Sequence, residues 1–267
     1  MAKMFLPPGF ELPIALEAAD LVMRAYEQFA ASKAAADWSL PDEYALLAQF
    51  SAQAGGLLDE LKPAEPFGFV AQNKTSGNVF VTFRGTESPE DWLSNITISQ
   101  TDHPWGAVEL GFSRLYRQCS TEIVDAVRGA TGAPRIFVAG HSLGGAIATL
   151  AAADLAMRQV AVNLYSYASP RTGSPAFTER FNQQVPVAWR TVNTEDLVTT
   201  VPLSTPKLEP GKSAHGLLGV FIGLAPKLDF EHVGSAVSFT AFNGSIAANH
   251  QMQTYIDALT AAKTAAV

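Results

Sequence analysis

The stretch that decides the fold is Arg135-Ile136-Phe137-Val138-Ala139-Gly140-His141-Ser142-Leu143-Gly144-Gly145-Ala146-Ile147-Ala148-Thr149-Leu150. Its first five residues are a short apolar run that reads as a buried strand. Its last residues, small and apolar, read as a helix from Ser142 to about 158. Between them lies Gly140-His141-Ser142-Leu143-Gly144, a Gly-x-Ser-x-Gly pentapeptide in a tight strand-to-helix turn. The pentapeptide alone is a weak signal, and an ordinary serine-capped helix flanked by turn glycines is the competing reading. The strand before it and the helix after it favour a strained turn that lifts the serine hydroxyl clear of the sheet. Gly140 and Gly144 leave room where side chains would clash. The helix N-terminus aims free N–H groups at any developing negative charge.

Working outward, the pattern alternates. Strands are expected at 67–71, 79–83, 135–139, 161–167 and 187–193, with helices at 110–129, 142–158, 174–183 and 249–263. Strand and helix alternate from 79 to 193, which predicts an α/β fold with a mostly parallel central sheet and helices on both faces. One domain is expected over 1–267. Its first 60 residues form a helical segment with helices at 13–35 and 42–54, the second stopped by Gly55-Gly56. Residues 203–248 read as loops with an antiparallel pair near 231–242.

Composition narrows the function. The chain has 267 residues, 48% hydrophobic and 16% charged, with a formal net charge of −7. An acidic chain lacks the basic face that nucleic-acid binding needs. The single cysteine, Cys119, excludes an internal disulfide and a cysteine-built zinc site, and its helical neighbours Leu115 and Ile123 place it in the core. No metal and no cofactor is expected. No apolar run is long enough to span a bilayer, and no signal peptide is read at the N-terminus. The compartment stays open between cytoplasmic and secreted after loss of a leader.

A serine hydroxyl needs a histidine to take its proton and a carboxylate to orient that histidine. In strand–turn–helix serine hydrolases the chain order is serine, acid, histidine. The acid should follow a later strand, and Asp196 after 187–193 is the choice, with Glu195 the alternative. Of the histidines that follow, His250 stands just ahead of the last helix and is preferred as base over His232 and His215. His141 sits inside the turn and reads as structural.

With these residues assembled, the chain resembles the fungal-type (class 3) triacylglycerol lipases. The resemblance runs through Phe83-Arg84-Gly85-Thr86 with Asp91-Trp92-Leu93, then Gly111-Phe112 with Tyr116, then Gly140 to Gly145. It continues through Ser169-Pro170-Arg171 with Gly173 and Phe177, Val192-Asn193 with Asp196, Val198 and Pro202, and the last histidine with Tyr255. It implies an α/β-hydrolase fold with a short lid, a triad of Ser142, Asp196 and His250, and an oxyanion hole from Thr86 and the Leu143 N–H. It places a lid at 87–105, where Trp92, Leu93, Ile96 and Ile98 form an apolar stripe that either meets lipid or packs on the core. Leu217 and Phe221 are assigned to an acyl groove, with ordinary core as the alternative. Two departures stand out: Glu109 where many members have histidine, and Ala168 where many have glycine.

The implied activity is serine-dependent carboxylic ester hydrolysis, foremost of triacylglycerols. The alternatives are a carboxylesterase, a feruloyl-type esterase or a phospholipase A1, and from another class a non-catalytic lipid-binding protein. The implied partners are a small-molecule or lipid ester and, transiently, a lipid interface, with no nucleic acid.

Overall fold

A computed structural model describes residues 4–53, 63–87, 99–132, 134–202 and 229–265. A seven-stranded sheet runs through the centre. In chain order its strands are β1 (Tyr44–Ala52), β2 (Glu65–Asn73), β3 (Val79–Phe83), β6 (Ile136–His141), β7 (Val162–Tyr167), β8 (Ala188–Asn193) and β9 (Ser235–Phe239). They also lie side by side in that order. The first three pair antiparallel and the remainder parallel. A two-stranded ribbon, β4 (Gln100–Thr101) with β5 (Val108–Glu109), stands apart from the sheet.

Helices cover both faces. On one lie α2 (Leu110–Gly129), α3 (Leu143–Met157) and α4 (Pro175–Gln184). Their core is built from Phe112, Ile123, Ile147, Leu150, Phe177 and Phe181 against Val81, Ile136 and Val138. On the other lie α1 (Leu12–Lys33) and α5 (Met252–Ala265), packing Leu21, Val22, Tyr255 and Leu259 on Phe80, Phe137 and Tyr165. Side chains of β6 alternate between the two cores, as the two-residue period of a strand requires. Helix α3 is buried almost all round, which explains its run of small residues: a helix wedged between sheet and neighbours has no polar face to show. Cys119 is buried in α2 as expected. Among the described residues no helix is long and apolar enough to cross a membrane.

Two expectations are corrected. The helix expected at 42–54 is replaced over its described residues: Tyr44–Ala52 is a strand paired antiparallel with β2. Alanine, leucine and glutamine favour a helix locally, but pairing with the free edge of β2 outweighs that preference. Register shifts at Leu46/Ala48 and Phe50/Ser51 blur the alternation that would have betrayed the strand. The antiparallel pair near 231–242 is also absent. One strand, β9, lies there and extends the sheet parallel to β8; a five-residue run does not encode its partner's direction.

Candidate active site

Ser142 occupies the turn between β6 and α3 with φ +57° and ψ −130°. A non-glycine residue there is strained, and the surrounding packing must impose it. A Cβ on Gly140 would fall 2.1 Å from the Gly144 carbonyl oxygen, and one on Gly144 2.3 Å from that of Arg84. The turn therefore closes only with glycine at both places. The Ser142 N–H bonds the Tyr167 carbonyl at 2.9 Å, pinning the turn to β7. Ser142 Oγ is buried and has no hydrogen-bond partner among the described residues.

Asp196 follows β8 and caps a short 3₁₀ turn, Leu197–Thr200. Its Oδ1 accepts the Val198 N–H at 3.0 Å. Its Oδ2 accepts His250 Nδ1–H at 2.8 Å and the Tyr255 hydroxyl at 2.6 Å. Both Asp196 and His250 are buried. Because a carboxylate only accepts, the neutral imidazole carries its proton on Nδ1 and presents the lone pair of Nε2. That Nε2 is buried without a partner among the described residues. Burial and the adjacent carboxylate push the Tyr255 hydroxyl well above its ordinary pKa, so it stays a donor.

The other expected residues separate clearly. Glu195 is exposed. His232 donates from Nε2 to the Thr199 carbonyl at 2.8 Å, and burial with Arg190 nearby holds its pKa down at about 3. Thr86 Oγ1 is a further buried polar atom without a partner among the described residues. Leu143 opens α3, where its N–H has no intrahelical acceptor. A Cβ on Gly85 would lie 2.8 Å from Ser142 Cβ, so the segment carrying Thr86 is seated on the serine. His215 and the lid and groove residues Trp92, Leu93, Ile96, Ile98, Leu217 and Phe221 lie outside the described residues. The 99–105 end of the expected lid is pinned: β4 pairs with β5, and the Trp105 ring lies 6.3 Å from Phe177 and 6.2 Å from Phe181.

The roles of Tyr26, Asn193 and Asn249 were not read from the sequence, although Asn193 lies in the acid block of the resemblance. Tyr26, on α1, bonds His141 Nδ1 at 2.7 Å and accepts the Gly85 N–H at 2.8 Å. His141 Nε2 in turn meets the His250 carbonyl at 2.7 Å. One chain of bonds thus ties the Thr86 segment, the serine turn and the histidine loop. Asn193, fully buried, bonds both backbone groups of Ala241 and the Asn249 carbonyl. Asn249 Nδ2 returns a bond to the Glu195 carbonyl at 3.0 Å. The acid and histidine loops are thereby sewn together. Only long-range placement makes these residues matter.

The two departures also have structural meaning. Glu109 caps α2, accepting the Phe112 N–H at 2.7 Å, and burial raises its pKa despite the backbone donors around it. Ala168 sits at φ +52°, a conformation glycine adopts without penalty.

Known proteins resemble this chain in both sequence and fold. Residues 80–205 match the lipase (class 3) family. The chain is 33% identical over 140 residues to a secreted mono- and diacylglycerol lipase 1 of Fusarium solani, covering 50% of this chain and 42% of that protein. It is 30% identical over 224 residues to phospholipase A1-Ialpha2 of Arabidopsis thaliana, covering 70% and 45%. The chain spans less than half the length of either. Among solved structures, a Rhizomucor miehei lipase propeptide complex superposes with a TM-score of 0.65 at 22% identity, over 90% of this chain and 70% of that one. A mono- and diacylglycerol lipase of Aspergillus oryzae gives 0.60 at 25% identity, over 73% and 76%. The fold is that of the α/β-hydrolases, and the 80–205 segment is similar to the class 3 lipase family.

Proposed function

We propose that this chain hydrolyses lipid carboxylic esters through an acyl-enzyme, with Ser142, His250 and Asp196 as its triad. The observation that carries the reading is the pair of unpaired buried atoms, Ser142 Oγ and His250 Nε2, one on a strained turn and the other on an imidazole fixed by Asp196. Ser142 Oγ attacks the ester carbonyl carbon, and His250 Nε2 takes the hydroxyl proton. The N–H groups of Leu143 and Thr86, with the Thr86 hydroxyl, receive the oxyanion. The tetrahedral intermediate collapses, the C–O bond to the alcohol breaks, and His250 returns the proton to the leaving oxygen. Water then repeats both steps and releases the acid. Asp196 Oδ2 keeps its bond to the His250 Nδ1–H and stabilises the imidazolium that forms.

The favoured substrates are acylglycerols, since several of the aligned relatives are named mono- and diacylglycerol lipases. Such substrates bring transient contact with a lipid interface. A second reading, phospholipase A1 activity, is supported by the longer alignment to the Arabidopsis protein. Purified chain assayed on emulsified acylglycerols, phosphatidylcholine vesicles and p-nitrophenyl esters of increasing acyl length separates these. The expected result is hydrolysis that falls about 10⁵-fold or more in Ser142→Ala, with loss of fluorophosphonate labelling. Wild type that neither labels nor turns over any ester would leave the non-catalytic lipid-binding reading instead.

A further inference from the structure

We propose that Arg84 is a positioning residue for the oxyanion hole, acting through the peptide bond between Gly85 and Thr86. The inference rests on the ester-hydrolase reading above. Arg84 is 1% exposed. Its Nη1–H donates to the Gly85 carbonyl at 2.8 Å. Nε donates to the Pro66 carbonyl at 2.7 Å, and Nη2 to Glu65 Oε2 at 3.2 Å. The guanidinium lies over the Phe29 ring, 3.6 Å from its centroid, and 5.1 Å from that of Phe67. The Arg84 backbone N–H bonds the Phe67 carbonyl at 3.1 Å. The cation is therefore held by β2 on one side and α1 on the other.

The carbonyl of Gly85 and the N–H of Thr86 belong to one planar unit. In a trans peptide the two point in opposite directions. A cation fixed on the oxygen therefore turns the N–H away from Arg84. It also polarises the peptide, making that N–H a stronger donor. The preceding peptide is fixed too, because the Gly85 N–H is held by the Tyr26 hydroxyl. With Gly85 seated against Ser142 Cβ, the Thr86 N–H has little freedom to leave the place where an oxyanion would form. Burial lowers the guanidinium pKa, with Glu65 opposing that effect. A charge so heavily desolvated is poor value as a packing element, since an apolar side chain would fill the space without that penalty.

The test compares an ester with its thionoester, in which the carbonyl oxygen is replaced by sulfur, a weak hydrogen-bond acceptor that gains little from an oxyanion hole. Wild type, Arg84→Met, Arg84→Lys and Glu65→Gln are assayed on both, with thermal unfolding recorded for each. Arg84→Met is expected to lose about ten-fold or more in kcat on the ester with little change in KM. The preference for ester over thionoester should shrink by a similar factor, with partial recovery in Arg84→Lys. Glu65→Gln keeps the bond to Gly85 and should leave both rates within about two-fold. Equal losses on the two substrates, or no loss, would overturn the proposal. Arg84→Lys, which keeps a buried cation, is read alone if Arg84→Met does not fold. Wild type inactive on both substrates would defeat the ester-hydrolase reading itself.

Discussion

His141 and Tyr26 show how proton inventory settles a role. The partner of His141 Nε2 is a carbonyl, so that nitrogen carries the proton. Nδ1 then accepts from the Tyr26 hydroxyl, whose oxygen remains free to accept the Gly85 N–H. Every bond closes with His141 neutral, which agrees with burial and neighbouring His250 holding its pKa well below the usual histidine range. Tyr26→Phe would leave the Gly85 N–H and His141 Nδ1 unpaired in the interior. It is expected to destabilise the fold by about 2 kcal/mol and to lower kcat roughly ten-fold, as the Thr86 segment and the His250 loop lose their common tether. Urea midpoints and ester turnover check this, and wild-type values for both would remove Tyr26 from the account.

At the scale of elements, the site is a junction of loops at the C-terminal ends of β3, β6 and β8, where parallel α/β sheets place their chemistry. The serine turn is tightly packed, because Gly140 lies against the start of α3 and Gly144 against the end of β3 too closely for side chains. The acid and histidine loops gain rigidity by hydrogen bonding through Asn193 and Asn249. Asn193→Ala deletes the side-chain bonds to Ala241 and Asn249 and strands their buried partners. It is expected to lower stability by about 3 kcal/mol and to cut kcat with little change in KM, since His250 loses its support and no substrate contact is removed. Thermal unfolding with steady-state kinetics tests the split; a change confined to KM would contradict it.

For the whole molecule, the buried neutral histidines set a dependence on pH. His141 and His232 both have folded pKa values below the unfolded value of about 6.5. Below that value the unfolded chain binds protons that the folded chain refuses, so stability falls with falling pH. The contribution of His232 is fully present above about 6.5 and is lost as pH drops toward its folded pKa of about 3. Between pH 6.5 and 5 that amounts to about 2 kcal/mol. His232→Gln should flatten the pH dependence of the urea midpoint over this range by about that amount. An unchanged slope would mean that His232 is protonated in the folded state.

Periodicity made the parallel half of the sheet legible from 79 to 193, because each of its strands and the helices that follow carry their own apolar pattern. The serine turn was legible for the same reason, and the order of Asp196 and His250 followed from the chemistry a serine nucleophile needs. Strand β1 was not legible, because its helix-favouring residues are overruled by a partner strand and its bulges hide the alternation. The direction of β9 was hidden as well, since pairing is a property of two strands. Tyr26 carries no local signature of its work, and the motifs that contain Arg84 and Asn193 do not say what either side chain does: each acts on backbone groups that are distant in the chain or invisible in side-chain patterns. Sequence by itself determined which residues could do the chemistry. Tertiary structure alone decided which backbone groups hold them in place, because hydrogen bonds to a main chain depend on where that chain has been folded and not on what its side chains are.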